Sequence, residues 1–375
     1  MLHLLTGGTG FLGSHLLASL LDRGESVAVL YRGEHDRARE RLEHALRATD
    51  LGSVLPAPIP GVLRMVPGDV TRPQLGMDRE TYRELGQEVT VVWHSAGCIQ
   101  MASAPELLHT VNVQGTEHVL QFAAAAAHRP RVLHVSTAYV AGGLLEGTVT
   151  EDHLSDRHGF LNRYEESKYQ GEQAIHRFAQ EHGLPATIVR PSVLVTDSLR
   201  PAEAPAHPFA SAQQRLSRLA RRDPTRLIPG TLPGGRVHAL LPGHPDATMN
   251  IVQVEYAADA IVHLARQPAT QLVDTFHVTH PTSTPLRRVL DAMEEICPWL
   301  QMFIVPEDHQ ETAGTIEQIL TQIAMGAMPH ARLCRSYART RTDAAVNTFL
   351  APPTVLDTGY LRASLGLGTA LPAPA

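Results

Sequence analysis

The sequence predicts an α/β fold: a doubly wound parallel Rossmann-type sheet with a smaller C-terminal lobe. Three observations predict it. Short, continuously apolar runs alternate with stretches of helical spacing through the first 195 residues, the pattern of strands covered on both faces. A glycine cluster separates the first apolar run from the first helical stretch. The composition, 43% hydrophobic and 19% charged over 375 residues, is that of a chain able to bury a sizeable core rather than stay disordered.

The elements follow in order. Residues 2–5 form a first strand. Residues 10–23 carry Phe11, Leu12, Leu16, Leu17, Leu20 and Leu21 at helical spacing, and Gly24 stops the helix. Residues 27–31 are a second strand, followed by a polar helix over 35–47. Strands over 62–66 and 89–93 come next. A helix over 111–128, with the alanines 123–127 in its inner part, precedes a fifth strand over 132–136. A helix over 164–181 and a sixth strand over 186–189 complete a first domain, residues 1–195. Residues 198–248 are rich in Pro, Ala, Gly and Arg and show weak periodicity, with a short basic helix over 212–222. Residues 250–261 read as a strand turning into a helix and 273–280 as a strand, so 250–280 rejoin the first domain. Residues 196–249 and 281–375 make up a substrate lobe and tail, including an apolar helix over 315–327.

Composition excludes several classes. The net charge is −6, from 32 Lys+Arg against 38 Asp+Glu, so no basic field invites nucleic acid. Cys98, Cys297 and Cys334 are too few and too scattered for a disulfide framework or a zinc cage, which fits a reducing compartment. The N-terminus has no charged n-region and cleavable apolar segment, and no apolar run approaches the roughly 18 residues of a membrane span. A cytoplasmic protein is expected. The 21 histidines form neither H-x-H nor H-E-x-x-H, so no metal site is expected. His94 reads as a packing or loop-positioning residue, Cys98 as a buried thiol, and Glu165 and Glu166 as a solvated helix face.

Thr6-Gly7-Gly8-Thr9-Gly10-Phe11-Leu12-Gly13 lies between strand and helix, spaced G-x-x-G-x-x-G. Glycine there permits a tight turn and lets backbone N–H groups meet a pyrophosphate at the helix N-terminus. The position, more than the pattern, predicts dinucleotide binding. The second strand ends Leu30-Tyr31-Arg32-Gly33 without an acid to bind ribose hydroxyls. Arg32, helped by Arg37 or Arg41, suits a 2′-phosphate, so NADPH is the expected cofactor. Tyr164 and Lys168 stand at i and i+4 on one helix face. An ammonium beside a phenol favours the phenolate and makes Tyr164 competent in proton exchange with a carbonyl oxygen. Ser136 and Thr137 tip the fifth strand at its carboxyl edge, where a hydroxyl can hold that oxygen beside Tyr164.

With these features the chain resembles the extended short-chain dehydrogenase/reductase superfamily. Thr6–Gly13 in that spacing, Gly68-Asp69-Val70, His94-Ser95-Ala96-Gly97, Asn112-Val113-Gln114-Gly115-Thr116, Ser136-Thr137-Ala138-Tyr139, Tyr164 with Lys168, and Arg190-Pro191 carry the likeness over roughly residues 1–195. Within it, the segment 162–172, Asp69-Val70-Thr71 with Leu75-Gly76-Met77, and 249–256 with Asp259 are similar to the thioester-reductase and fatty-acyl-reductase branch; Gln253-Val254-Glu255-Tyr256 departs from the usual Pro-Val-Asp-Tyr. The resemblance implies that Gly7, Gly10 and Gly13 cradle the pyrophosphate and that Arg32 meets the 2′-phosphate. Asp69 and Val70 would flank the adenine, and Ala96 and Gly97 would line the backbone near the nicotinamide ribose. Asn112 would join the cofactor-binding set, and Pro191 and Ser192 would sit near the carboxamide. Thr137 and Tyr164, with Ser136, would hold the substrate oxygen, and Lys168 would bind the ribose.

The implied activity is NADPH-dependent reduction of a carbonyl: an acyl thioester bound to a carrier protein or to coenzyme A, or the derived aldehyde. A nucleotide-sugar epimerase or dehydratase, and a non-catalytic NADP-binding redox sensor, are the alternatives. Arg215, Arg218, Arg221, Arg222 and Arg226 form either a solvated face or a docking patch for an acyl or peptidyl carrier protein or for coenzyme A phosphates.

Overall fold

Strand β1 (Leu2–Thr6) is apolar on both faces, and four of its five residues are buried. The same continuous burial marks β2 (Ser26–Tyr31), which pairs with the less buried edge strand β3 (Leu63–Pro67). Strands β4 (Val89–His94), β5 (Arg131–Val135), β6 (Ala186–Pro191) and β7 (Val273–Val278) complete a seven-stranded sheet, parallel throughout, in the order β7-β6-β5-β4-β1-β2-β3. The chain is seen in a computed structural model that describes residues 1–49, 62–198, 203–205, 207–221, 236–306 and 328–367. Strand order reverses between β1 and β4, so the crevice above their carboxyl ends is where such a sheet receives ligands.

Helices cover both faces. On one, Leu16, Leu17 and Leu20 of α1 (Phe11–Asp22) meet Ala257, Ile261 and Leu264 of a helix spanning Val254–Ala265. On the other, Val119 and Phe122 of the helix Gly115–Ala125 pack with Ile175 and Phe178 of the helix Arg163–His182. Each fully buried side chain of this size stabilises by about 1.5–3 kcal/mol over exposure. Strand β7 thus joins the main sheet, whereas Ile251–Gln253 pairs with Val193–Val195 in a separate two-stranded sheet. A separate apolar cluster joins Leu216 and Leu219 of the helix Pro208–Ala220 to the parallel strands Val237–Pro242 and Leu300–Val305. The strand Cys334–Tyr337 returns to pair with Glu146–Val149.

Several local expectations needed revision. A helix over Arg79–Glu88, capped by Asp78 accepting from the Thr81 amide, was not expected, because it buries only Leu85 and Gly86. The helix expected over 111–128 begins as a π-helix, His109–Gln114, and its α-helical part ends at Ala125, where Ala126 turns extended. The helix expected over 212–222 starts earlier, with Pro208 in its first turn, and ends at Ala220. The helix expected over 315–327 lies outside the described residues.

Candidate active site

The loop after β1 is packed backbone against backbone. Gly7 has φ +76°, and a Cβ there would stand 2.6 Å from the Ala96 nitrogen and 2.7 Å from the Ser95 carbonyl carbon. A Cβ on Gly13 would stand 2.0 Å from the Gly7 oxygen. The Gly10 amide donates to that same oxygen at 2.9 Å. Leu12 is buried in the core, and Phe11 is partly buried and meets His15 edge-on at 5.6 Å. The result is a cleft of about 480 Å³ lined by Thr6, Gly7, Gly10, Arg32, Asp69, Val70, Ala96 and Gly97, together with Arg41 and other neighbours. Arg32 is exposed at its rim, and Arg41 donates to the Arg32 carbonyl at 2.9 Å. Arg37 does not line the cleft. Asp69 uses Oδ1 to accept from the amide and hydroxyl of Thr71, at 2.9 and 2.8 Å, which fixes the turn after β3.

Beneath the cleft floor runs a buried hydrogen-bonded chain. His94 meets the Thr6 hydroxyl through Nδ1 at 2.9 Å and the Thr116 hydroxyl through Nε2 at 3.1 Å. Thr6 Oγ1 accepts from the Ala96 amide at 3.2 Å, and Thr116 donates to the Asn112 carbonyl at 2.7 Å. Burial holds the His94 imidazole down to about 3, so it stays neutral and positions the loop, as its place at the strand end suggested. The Asn112 carboxamide is taken up by protein: Oδ1 accepts from the Cys98 amide at 2.8 Å, and Nδ2 reaches the Cys98 carbonyl and Ser167 hydroxyl, both at 2.9 Å. It therefore shapes the segment behind Ala96 and Gly97. Cys98 is half-buried rather than buried, with Sγ 3.5 Å from the Ser103 hydroxyl.

Tyr164, Thr137, Lys168 and Ser136 gather at the carboxyl end of β5. Tyr164 is buried, with its phenol beside the Thr137 side chain. Burial raises that phenol to about 12; the Thr137 side chain opposes the shift, and Glu165 and Cys98 add to it. Lys168 turns instead to the strand, donating from Nζ to the Val135 carbonyl at 2.8 Å and lying 3.4 Å from His134 Nε2. Burial brings the ammonium down to about 8, against a smaller opposing pull from Glu172. The expected lowering of Tyr164 by Lys168 is thus not found: Lys168 is not among the groups that shift the phenol, desolvation dominates, and the phenol stays protonated at neutral pH. Ser136 and Ser192 are buried, and their hydroxyls have no partner among the described residues. They lie just beyond β5 and β6, with Pro191 ending β6.

Glu165 contradicts the expectation of a solvated face. It is fully buried, and its carboxylate accepts from the Leu161 amide at 2.9 Å, Asn162 Nδ2 at 3.2 Å and His330 Nε2 at 2.5 Å. Asn162 in turn accepts from the Glu165 amide at 3.0 Å, a reciprocal helix cap of the S/T/N-x-x-E kind. That spacing is readable in Asn162-Arg163-Tyr164-Glu165 and was the signal available for it. Glu166 does reach the surface, paired with Arg163 at 2.6 Å. His134 and His330 were not anticipated, because their partners come from distant segments. Arg218 and Arg221 are exposed at the end of the helix Pro208–Ala220, whereas Arg222 and Arg226 lie outside the described residues. Among the described residues no group of three or more potential ligands could hold a metal ion, and no helix is long and apolar enough to cross a membrane.

The sheet order, the glycine loop at its switch point and the Thr-Tyr-Lys set define a Rossmann-fold protein of the extended short-chain dehydrogenase/reductase type. More narrowly, the chain belongs to the NAD-binding family described as male sterility protein, whose model matches residues 5–261. It is 26% identical over 326 residues to the carboxylic acid reductase of Mycobacterium tuberculosis, covering 79% of this chain and 25% of that protein. It is 33% identical over 208 residues to the nonribosomal peptide synthetase asaC of Aspergillus flavus, covering 52% of this chain and 20% of that one. The chain therefore spans a fifth to a quarter of these relatives' length. Among solved structures, the terminal R domain of the myxalamid PKS-NRPS pathway shares the fold, with a TM-score of 0.77 at 20% identity, covering 100% of this chain and 92% of that one.

Proposed function

We propose that this chain is an NADPH-dependent reductase of acyl thioesters, presented on a carrier protein or coenzyme A, and of the derived aldehydes. The observation that carries this reading is the glycine-lined cleft above β1, with Thr137 and Tyr164 beside each other at the carboxyl end of β5, two strands along the same sheet edge. The cleft fits a dinucleotide. Its loop has no room for a Cβ at Gly7 or Gly13, which leaves backbone N–H groups at the start of α1 for a pyrophosphate. Thr6, Gly7, Gly10, Gly13 and the backbone of Phe11 and Leu12 would hold that group, with Arg32 on the 2′-phosphate. Asp69 and Val70 would flank the adenine, Ala96 and Gly97 the ribose, and Pro191 and Ser192 the carboxamide. Residues 1–195 with 250–280 would then be the dinucleotide-binding domain, and 196–249 with 281–375 the substrate lobe and tail.

When bound, the reduced nicotinamide supplies a hydride to the carbonyl carbon. The chain's residues handle the oxygen. A phenol near 12 is a poor base but a good donor to an oxygen gaining negative charge. Thr137 offers a second hydroxyl from the opposite element, and the two together orient the carbonyl. Lys168 spends two of its three N–H groups on Val135 and His134, which leaves one for the nicotinamide ribose. The names of the relatives, synthetases and a carboxylic acid reductase, favour a substrate carried as a thioester. The exposed Arg218 and Arg221 suit an acidic carrier.

The test is NADPH oxidation followed across a panel of acyl-carrier thioesters, acyl-coenzyme A, free aldehydes and nucleotide sugars. The reading expects consumption with thioesters or aldehydes and none with nucleotide sugars. Redox-neutral conversion of a nucleotide sugar with tightly retained NAD would replace it with the epimerase reading.

A further inference from the structure

We propose that His330 is a positioning residue for the reaction, holding Tyr164 and Thr137 in register from the C-terminal segment by way of Glu165. The proposal rests on the reading of Thr137 and Tyr164 given above. It starts from a buried acid that the mechanism does not use. Glu165 follows Tyr164 directly, in the first turn of its helix, and is fully buried. Two of the donors to its carboxylate, Leu161 and Asn162, belong to the helix start itself. The third, His330, lies 165 residues away in sequence and is also buried. A carboxylate only accepts, so His330 Nε2 carries the proton of this 2.5 Å bond.

The same imidazole packs on Tyr139, two residues beyond Thr137. Its ring lies 4.6 Å from the ring of Tyr139, tilted by 35°. The Tyr139 amide donates to Thr137 Oγ1 at 3.3 Å. One side chain therefore touches the segment that carries Thr137 and the cap that carries Tyr164. Five residues on, Arg335 fixes the continuation of that first segment, donating to the carbonyls of Gly142 and Leu144 at 2.7 and 2.9 Å. The strand Cys334–Tyr337 then pairs with Glu146–Val149. An apolar side chain at 330 could fill the space, but it would leave a buried Glu165 oxygen without its strongest donor. That specific loss separates positioning from packing.

His330→Leu removes the donor, and His330→Gln keeps an N–H at similar reach. With NADPH and the best aldehyde or thioester, His330→Leu should lower kcat by about tenfold or more, the scale of a sub-ångström misplacement of a reacting group. KM and the NADPH Kd should stay within about twofold, and His330→Gln should recover most of the rate. In the His330→Leu background, Glu165→Gln should cost less than it does alone, because the two residues act through one contact. Amide hydrogen exchange over residues 161–166 supplies a readout independent of turnover: it should speed up in His330→Leu, relative to the β1 amides, and slow again in His330→Gln. Unchanged kcat and unchanged exchange in His330→Leu would overturn the proposal. So would equal losses in both variants, or a parallel loss of NADPH affinity, which would mark a general packing role. If the unaltered protein turns over no substrate while the exchange pattern appears as expected, the functional reading fails and the coupling of His330 to the helix start stands.

Discussion

Alanine at Gly7 probes the dinucleotide cradle most sharply. At φ +76° an L-residue is strained by roughly 1–2 kcal/mol. Its Cβ would also press on two backbone atoms of the β4 end at 2.6 and 2.7 Å, neither of which can rotate away. Overpacking of this kind adds about 1–3 kcal/mol. The combined strain of roughly 2–5 kcal/mol is relieved most easily by opening the loop, which moves the amides intended for the pyrophosphate. A hydrogen bond to a charged group contributes about 1.5–3 kcal/mol, so losing one or two predicts roughly ten- to ten-thousandfold weaker NADPH binding. Gly86→Ala is the control. Its Cβ would meet only Ala126 Cα at 3.8 Å inside a helix, so it should stabilise by about 0.5–1 kcal/mol and leave binding alone. Titration calorimetry with NADPH and thermal melts on both variants decide the matter. Wild-type NADPH affinity in Gly7→Ala would refute the placement of the dinucleotide.

Three further outcomes are expected. Arg32→Ala should weaken NADPH by roughly ten- to hundredfold and NADH barely, on the scale of a charged hydrogen bond; equal losses in a binding titration would remove Arg32 from cofactor choice. Lys168 has its folded-state value lowered from 10.5 to about 8, so the unfolded chain holds the extra proton between those values. Stability should therefore rise with pH across that window, by about 3 kcal/mol at most, while NADPH affinity falls above about 8; denaturant melts and titrations on Lys168→Met should lose both trends. Arg218→Glu with Arg221→Glu should raise KM for a carrier-bound thioester and reduce its salt dependence while sparing a free aldehyde, and identical responses of the two substrates would leave these arginines a solvated face.

The main sheet was legible because its strands are apolar on both faces, a signal that survives without knowledge of their partners. The glycine loop and the Tyr164–Lys168 spacing were legible for the same reason: both are local. What depended on distant contacts was not. Glu165 looks like a surface residue until His330 arrives from the far end of the chain to meet it. Lys168 appears to serve Tyr164 in the one-dimensional spacing, yet β5 supplies its partners, Val135 and His134. The helix Arg79–Glu88 leaves little trace in the sequence because a two-residue buried face gives almost no periodicity, although its Asp78 cap is readable.

The most direct test of the account is Tyr164→Phe, assayed with an acyl thioester by following NADPH oxidation and thiol release together, alongside the NADPH Kd. The account predicts coupled NADPH consumption and thiol release in the unaltered protein, a loss of about 10²–10⁴-fold in the variant, and an unchanged Kd. Wild-type turnover in Tyr164→Phe, or thiol release without NADPH consumption, would contradict it.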